Sequence, residues 1–265
     1  MNMEKWIIGL LLVIPLQIVS GQDKNTGVQK TPDPTHRWMV GVQLGGSSLL
    51  ASSLNDEHGI HNLFIDALKW TVPKHAIKFN KQLKQGWNIN SDIHFMRSEN
   101  FGLGVKYSFF TLSSQNVFFP NYFSYSEYQC AEMKQKLYVN YAGPSVIFRQ
   151  WLHESQKLQL TETISAGYVH YRDEIREYAN YPTSYNVLLK SNTLATNVSL
   201  FLGYCPVPRL SIGANFGLFY AYLTKVNIGT SDYYSKLVTQ KAGLDKGYRS
   251  LIRFDYSIDI RLIFN

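Results

Sequence analysis

The sequence predicts an all-β fold: a transmembrane antiparallel up-and-down β-barrel of about eight strands, with about ten as the alternative. Three observations carry this. Segments of about ten residues alternate between apolar and polar side chains. The connections between them are long and short in turn, and aromatic residues gather at the segment ends in two groups. The composition agrees, with 45% hydrophobic and 14% aromatic residues but only 17% charged. Soluble domains usually carry about a quarter charged residues. A mean hydropathy of −0.18 excludes a protein built from several long apolar helices.

The chain begins with Lys5, then WIIGLLLVIPLQIV, then Val19-Ser20-Gly21 before Gln22. A basic start, a short apolar run broken by Pro15 and a small-residue site predict a signal peptide over residues 1–21, cleaved after Gly21. The run is shorter than the ~20 residues of a spanning helix, which argues against a single membrane anchor. No Cys follows it, so a lipid anchor is not expected. Residues 22–36, QDKNTGVQKTPDPTH, read as a flexible polar lead-in, and residues 37–265 as the barrel domain.

The strands follow in order. Residues 37–46 place Trp38, Val40, Val42 and Leu44 opposite Met39, Gly41, Gln43 and Gly45. Residues 87–97 set Ile89, Ser91, Ile93 and Phe95 against Asn88, Asn90, Asp92 and His94. Residues 101–110 set Phe101, Leu103, Val105, Tyr107 and Phe109 against Gly102, Gly104, Lys106 and Ser108. Residues 136–150 are β-rich, but Gly143-Pro144 interrupts them and predicts a bulge or kink. Residues 157–171 carry Gln159, Thr161, Thr163 and Ser165 on one face; Glu162 among the apolar set predicts a register shift. Residues 194–204 and 210–222 alternate cleanly, as do residues 248–265, which are expected to close the barrel against the first strand.

The long connections, at about residues 47–86, 111–135, 172–192 and 223–247, all fall at one end. The short ones are Ser98-Glu99-Asn100, residues 153–156 and Pro206-Val207-Pro208. Membrane barrels sort their loops in this way. Trp38, Phe101, Trp151, Tyr204 and Phe264 lie near the short-turn end, and Trp87, Phe109, Tyr168, Tyr220, Tyr222 and Tyr248 near the other. Two such belts fit rings held at headgroup level. A ten-stranded ring requires residues 76–83 to pair as part of an extra hairpin.

With VGVQLGG at 40–46, YAGPSVIF at 141–148 and an amphipathic final strand, the chain resembles outer-membrane β-barrel proteins of Gram-negative bacteria. Among these it is similar to the porin-like barrels common in Bacteroidetes. The resemblance implies residence in the outer membrane, contact with its lipid and lipopolysaccharide, and delivery by the outer-membrane assembly machinery. That machinery reads a terminal aromatic residue, and here Phe264 is followed by Asn265. The family shares no catalytic motif, so the resemblance assigns no catalytic, cofactor-binding or metal-binding residues.

If the apolar set faces lipid, the lumen collects Gln43, Asp92, His94, Lys106, Asn197, Asn215, Arg249, Arg253, Asp255, Asp259 and Arg261. Buried charges must pair, and an eight-stranded barrel has room for little besides side chains. The predicted lumen network is therefore Asp92, His94, Lys106, Arg249, Arg253, Asp255, Asp259 and Arg261. Its favoured reading is an ion-paired plug; the other is the lining of a narrow selective pore. In the long loops, Ile60, Leu63, Phe64, Ala67 and Leu68 repeat at helical spacing beside His58 and His61. The second loop holds Phe118, Phe119, Tyr122 and Tyr125, residue types suited to stacking on sugars or meeting headgroups. These are the candidate contacts for an unidentified surface ligand.

No nucleophile motif, HExxH, P-loop or paired-Cys metal site occurs, and no cofactor is expected. His58 and His61, near Asp56 and Glu57, and His170 are the histidines to which an enzyme reading would turn. The formal charge of +7 is scattered along an exported chain, which points to anionic headgroups rather than nucleic acid. Cys130 and Cys205 fall at opposite ends of the barrel, too far apart to bridge. The expected function is a structural or surface-binding outer-membrane barrel with a largely plugged lumen and long extracellular loops. The alternatives are a narrow channel for small solutes and a lipid-directed enzyme.

Overall fold

The structure, a computed structural model, describes residues 38–51, 82, 84–118, 131–152, 155–179, 185–223, 226–230 and 249–264. Within them nine strands follow in chain order. They are β1 (Trp38–Ala51), β2 (Gln85–Met96), β3 (Phe101–Phe118), β4 (Ala131–Trp151), β5 (Leu158–Ala179), β6 (Tyr185–Val207), β7 (Leu210–Leu223), β8 (Asn227–Thr230) and β9 (Arg249–Phe264). Successive strands from β1 to β7 pair antiparallel, β7 pairs with β9, and β9 pairs back onto β1 from Trp38↔Phe264 to Ala51↔Ile252. The result is a closed antiparallel barrel of eight strands, so the ten-stranded alternative falls; residues 76–81 and 83 lie outside the described residues.

The stagger of the ring follows from its ladders. From Phe201 on β6 the partners run through Asn215, Ser257, Gly45, Asn88, Phe110, Val139 and Tyr171. Tyr171 then pairs with Ser191 on β6 itself, ten residues from the start. A shear of that size in eight strands requires a steep tilt, of about 35–45°, and leaves an interior that side chains can fill.

Two opposite patterns share these strands. Nearer the short turns the outer wall is apolar, with Leu194 75% and Ile258 67% exposed, while His94, Asp259, Arg253 and Arg261 are fully buried inside. This inverts a water-soluble barrel and is the arrangement of a membrane-spanning one. Nearer the long loops the pattern reverses. Leu112, Leu137, Ile175, Val187 and Leu189 turn inward and are buried, while Arg172, Arg176 and Lys190 stand outside. That reversal explains why β3 to β6 run further than the sequence suggests, to Phe118, from Ala131, to Ala179 and from Tyr185. An expectation of apolar-out alternation ends where the sign changes, although the strand does not. Residues 111–118, 131–135, 172–179 and 185–192, expected as loop, are strand.

Three local expectations also change. Gly143-Pro144 makes no bulge: β3 and β4 keep one register from Phe101↔Phe148 to Phe118↔Ala131. Instead the β4–β5 ladder skips between Ala142↔Tyr168 and Ser145↔Ser165, with the same register on both sides. Pro144 has no N–H to give, and a Cβ on Gly143 would lie 2.5 Å from the Gly167 Cα, so two glycines let the backbones close on each other. Glu162 causes no register shift, since β5 and β6 pair without interruption from Leu158↔Tyr204 to Glu177↔Tyr185. It sits on the outer face between Phe148 and Leu200. The Pro206-Val207-Pro208 turn is shorter than expected, because β6 continues through a register irregularity to Val207 and only residues 208–209 turn. The sequence also does not show β8, which extends the sheet along β6 from Val187↔Thr230 to Lys190↔Asn227.

The aromatic ends pack in pairs. Trp38 meets Phe95 edge-on at 5.2 Å and Phe101 meets Phe148 at 5.4 Å near the short turns, while Trp87 meets Phe109 at 5.9 Å nearer the loops. Between those belts, Ile258 stands in register with Leu44 and Ala214 on the apolar wall. Ile258→Arg is expected to cost about 2–4 kcal/mol near the bilayer midplane. Reversible urea unfolding from lipid vesicles measures it, with Lys190→Arg, outside the apolar band, as the near-neutral control.

Candidate functional site

The interior is stacked in three levels. Near the short turns, Met39, Met96, Ile147 and Ile263 form a small apolar cluster. Near the loops a larger one gathers Phe110, Leu137, Val139, Tyr141, Phe219, Leu251 and their neighbours. Between them lies a polar layer whose charges balance: Asp92, Asp255 and Asp259 against Lys106, Arg253 and Arg261, all buried.

β9 supplies four of those six because its inward positions read Arg253, Asp255, Ser257, Asp259, Arg261. Residues two apart share a face, so each arginine sits beside its own carboxylate. Arg253 Nε lies 2.7 Å from Asp255 Oδ1, and its Nη2 donates to Asp255 Oδ2 at 2.8 Å and to Ser108 Oγ at 2.9 Å. Its Cζ lies 4.8 Å from the Phe110 ring centre and 4.7 Å from that of Phe219, so the guanidinium is held between two phenyl faces. Ser47 Oγ donates to Asp255 at 2.6 Å, and Asn88 Nδ2 to Ser47 Oγ at 2.6 Å.

Arg261 is built alike. Its Nη2 and Nε donate to Asp259 Oδ2 at 2.9 and 3.0 Å, its Cζ stacks 4.6 Å from Phe201, and Nη2 lies 3.9 Å from Asp92 Oδ2. Asn215 donates to Asp259 at 3.1 Å and Gln43 to Asp92 at 3.2 Å. Lys106 reaches across from β3 to β6, where its ammonium donates to Asn197 Oδ1 at 2.7 Å and Ser199 Oγ at 2.8 Å. The structure thus gathers Asp92, His94, Lys106, Arg253, Asp255, Asp259 and Arg261 in one layer. Arg249 opens β9 opposite Leu223.

His94 Nδ1 lies 3.2 Å from Asp92 Oδ1, and its Nε2 lies 2.8 Å from Ser145 Oγ. Acid, imidazole and hydroxyl follow the order of a hydrolase triad. However, Ser145 is only 5% exposed and faces the filled lumen, so no lipid or peptide bond can reach it. The chain acts as a strut from β2 to β4. His170, on the outer wall, hydrogen-bonds Asn192 through Nδ1 at 2.7 Å.

Sequence reasoning missed Ser145, Ser199, Phe110, Phe201 and Phe219 as members of this layer. Inward parity carried along β6 and β7 from Asn197 and Asn215 reaches Ser199, Phe201 and Phe219, but apolar side chains were assigned outward. Asp173 was missed because it fell in an expected loop; it is buried and accepts both Gln135 Nε2 contacts, at 2.9 and 3.1 Å. Of the loop candidates, His58, His61, Phe119, Tyr122 and Tyr125 lie outside the described residues, as do Tyr248 and Cys130. Phe118 is the last residue of β3. Cys205 is a buried free thiol 3.3 Å from Ser211 Oγ.

Removing one member of a buried pair leaves an unpartnered charge, which costs more than removing both. Arg253→Ala is expected to lose about 3–5 kcal/mol. Arg253→Leu combined with Asp255→Leu is expected to lose less, in urea unfolding from vesicles.

No family model and no curated protein matches this chain. Solved structures similar to it include Neisserial surface protein A, at 12% identity over 85% of this chain and 96% of that one, with a TM-score of 0.39. The outer membrane protease OmpT from Escherichia coli is 10% identical over 91% of this chain and 100% of that one, with a TM-score of 0.43. The outer membrane protein OprG from Pseudomonas aeruginosa is 7% identical over 89% and 100%, with a TM-score of 0.39.

Proposed function

We propose that this protein is an outer-membrane barrel with a closed lumen, serving as a structural or ligand-contacting surface and not as a conduit. The observation that carries the reading is the set of ties across the interior. Lys106 links β3 to β6, Arg253 links β9 to β3, and the Tyr141 ring meets Phe219 edge-on at 5.6 Å, linking β4 to β7. These strands lie on opposing sides of the ring, so the side chains that join them occupy the path a solute would take. Within the polar layer three carboxylates stand against three cations and both arginines are ion-paired, whereas a selective pore presents an excess of one sign or an open ring of carbonyls.

Outer-membrane residence is supported by a chain start whose sequence reads as a signal peptide and by the apolar outer wall, a surface that water would penalise and hydrocarbon accepts. Among the described residues the enzyme reading has no accessible constellation: the acid–imidazole–hydroxyl chain is enclosed, and His170 pairs with an amide. Recognition of surface ligands falls to the outer wall beyond the apolar band and to the connections between strands, with outer-membrane lipid and lipopolysaccharide as the surrounding partners.

Purified folded protein inserted into planar bilayers is expected to give no stepwise conductance at potentials where an open porin conducts in the same membrane. Current steps that scale with salt concentration would overturn the closed-lumen reading.

A further inference from the structure

Above the apolar band the outer face of β4, β5 and β6 changes character over a short distance. Tyr168 and Leu194 are 54% and 75% exposed on the apolar wall. Two residues further out, His170 and Asn192 form a hydrogen-bonded pair, and beside them Tyr107 donates to Asn140 at 2.9 Å. Two residues further again come Arg172 and Lys190, paired in register, with Lys136 opposite Glu174 and Lys134 opposite Arg176 just beyond. Four residues of tilted strand rise about 10 Å. The cations therefore stand about one headgroup layer above the last exposed apolar side chains.

This patch holds Lys134, Lys136, Arg172, Arg176 and Lys190 against the carboxylates Glu132 and Glu174. Glu174 is engaged on both sides, with Arg172 Nη2 2.5 Å from one oxygen and Arg176 Nη2 3.7 Å from the other. Glu132 accepts a hydrogen bond from Gln115. Among the described residues, Lys134, Lys136 and Lys190 have no carboxylate partner. Lys134, Lys136, Glu174 and Arg176 line a cleft of about 90 Å³, room for a group the size of a phosphate. The outward residues near the tops of β1, β7 and β9, Leu50, Tyr222 and Phe254, are uncharged and exposed. Among the described residues the cations therefore cluster on this side, with Lys84, just before β2, exposed elsewhere at that end.

We propose that this outer face of β4–β6 is a binding site for the phosphate groups of an anionic glycolipid in the surrounding leaflet, with Lys134, Lys136 and Lys190 as the unsatisfied cations that take them. Glu174 pairs with Arg172 and with Arg176, which lines the cleft beside it, so part of the site is preorganised. The inference rests on the outer-membrane reading and names the lipid contact within it. Free phosphate offers the same chemistry but lacks the acyl chains that would lie along Leu194 and Tyr168 below.

The test uses the full mature chain folded in detergent, with native mass spectrometry reading retained lipid. The probes are bisphosphorylated lipid A, the same lipid with its phosphates removed, inorganic phosphate, and a soluble sulfated polysaccharide. Bisphosphorylated lipid A is expected to remain bound, and the dephosphorylated lipid and free phosphate are not. A triple variant, Lys134→Gln, Lys136→Gln and Lys190→Gln, is expected to weaken retention on the order of a hundredfold, at about fivefold per surface cation. Lys157→Gln with Arg209→Gln, exposed at the short-turn end, is expected to change nothing. Equal retention by the triple variant, or of the dephosphorylated lipid, would overturn the site. So would preferential capture of the sulfated polysaccharide by these lysines, which would make it a soluble-polyanion site. A heat-modifiable gel shift reports the folded barrel for every variant. A chain that never shows the shift or never enters vesicles defeats the outer-membrane reading itself; one that inserts without discriminating phosphates defeats only this inference.

Discussion

Where hydrocarbon replaces water, every backbone N–H and C=O must find its partner within the protein, and the pairing of β9 with β1 is what makes this possible here. Without it the sheet would present two unpaired edges to lipid. With it, each of the eight long strands has a neighbour on both sides, and the hydrogen-bond requirement is met before any side chain is chosen. Closure then dictates the rest. Eight strands staggered by ten residues enclose a narrow interior, and a narrow interior must be packed.

The packing had to use charge, given these residues, and the structure shows how that is made tolerable. Burying a lone arginine would be prohibitive, but β9 places each arginine two positions from its own aspartate. Phenyl rings cover the guanidinium faces, while serine, asparagine and glutamine satisfy much of the rest of the layer. The two apolar clusters above and below it keep the polar layer away from bulk water at both ends. Electrostatics in such a layer are strong, which favours one arrangement of pairs over shuffled ones.

Much of the architecture is legible in the sequence because a strand's period of two is local. Trp38 to Leu44, Ile89 to Phe95, Leu194 to Tyr204 and Leu210 to Tyr222 announce their lipid face without knowledge of any partner. The charged members of the polar layer follow from the same parity, as the other face of those strands. The aromatic half of the layer shares that parity but is hidden by its chemistry. Phe110, Phe201 and Phe219 stand on the inward face, yet as apolar residues they resemble the lipid-facing set. The outer extensions were missed for a related reason: at Leu112, Leu137 and Val187 the environment outside changes from lipid to water, and the inside-out pattern changes sign with it. Glu162 and Gly143-Pro144 misled in the opposite direction. Each looked like a break in the ladder, but a carboxylate can be screened by Phe148 and Leu200, and a missing N–H can be absorbed by Gly143 facing Gly167.

The proposed closed lumen moves any chemistry of recognition to the outside, and the stagger decides which part of the outside. Because a row of ladder partners climbs steadily around the ring and β4, β5 and β6 are the longest strands, the wall rises furthest on one side. That rise carries the reversed pattern: apolar residues sealing the mouth and cations standing outward. The same inversion therefore performs two tasks. Inside, Leu137, Ile175 and Val187 extend the upper seal. Outside, the positions that alternate with them become long stretches of strand placed beyond the apolar band, held rigid by the ladder on either side. Cations mounted there keep fixed spacing, which loops seldom provide. The closed interior and the charged outer flank are thus consequences of one strand geometry meeting two solvents along its length.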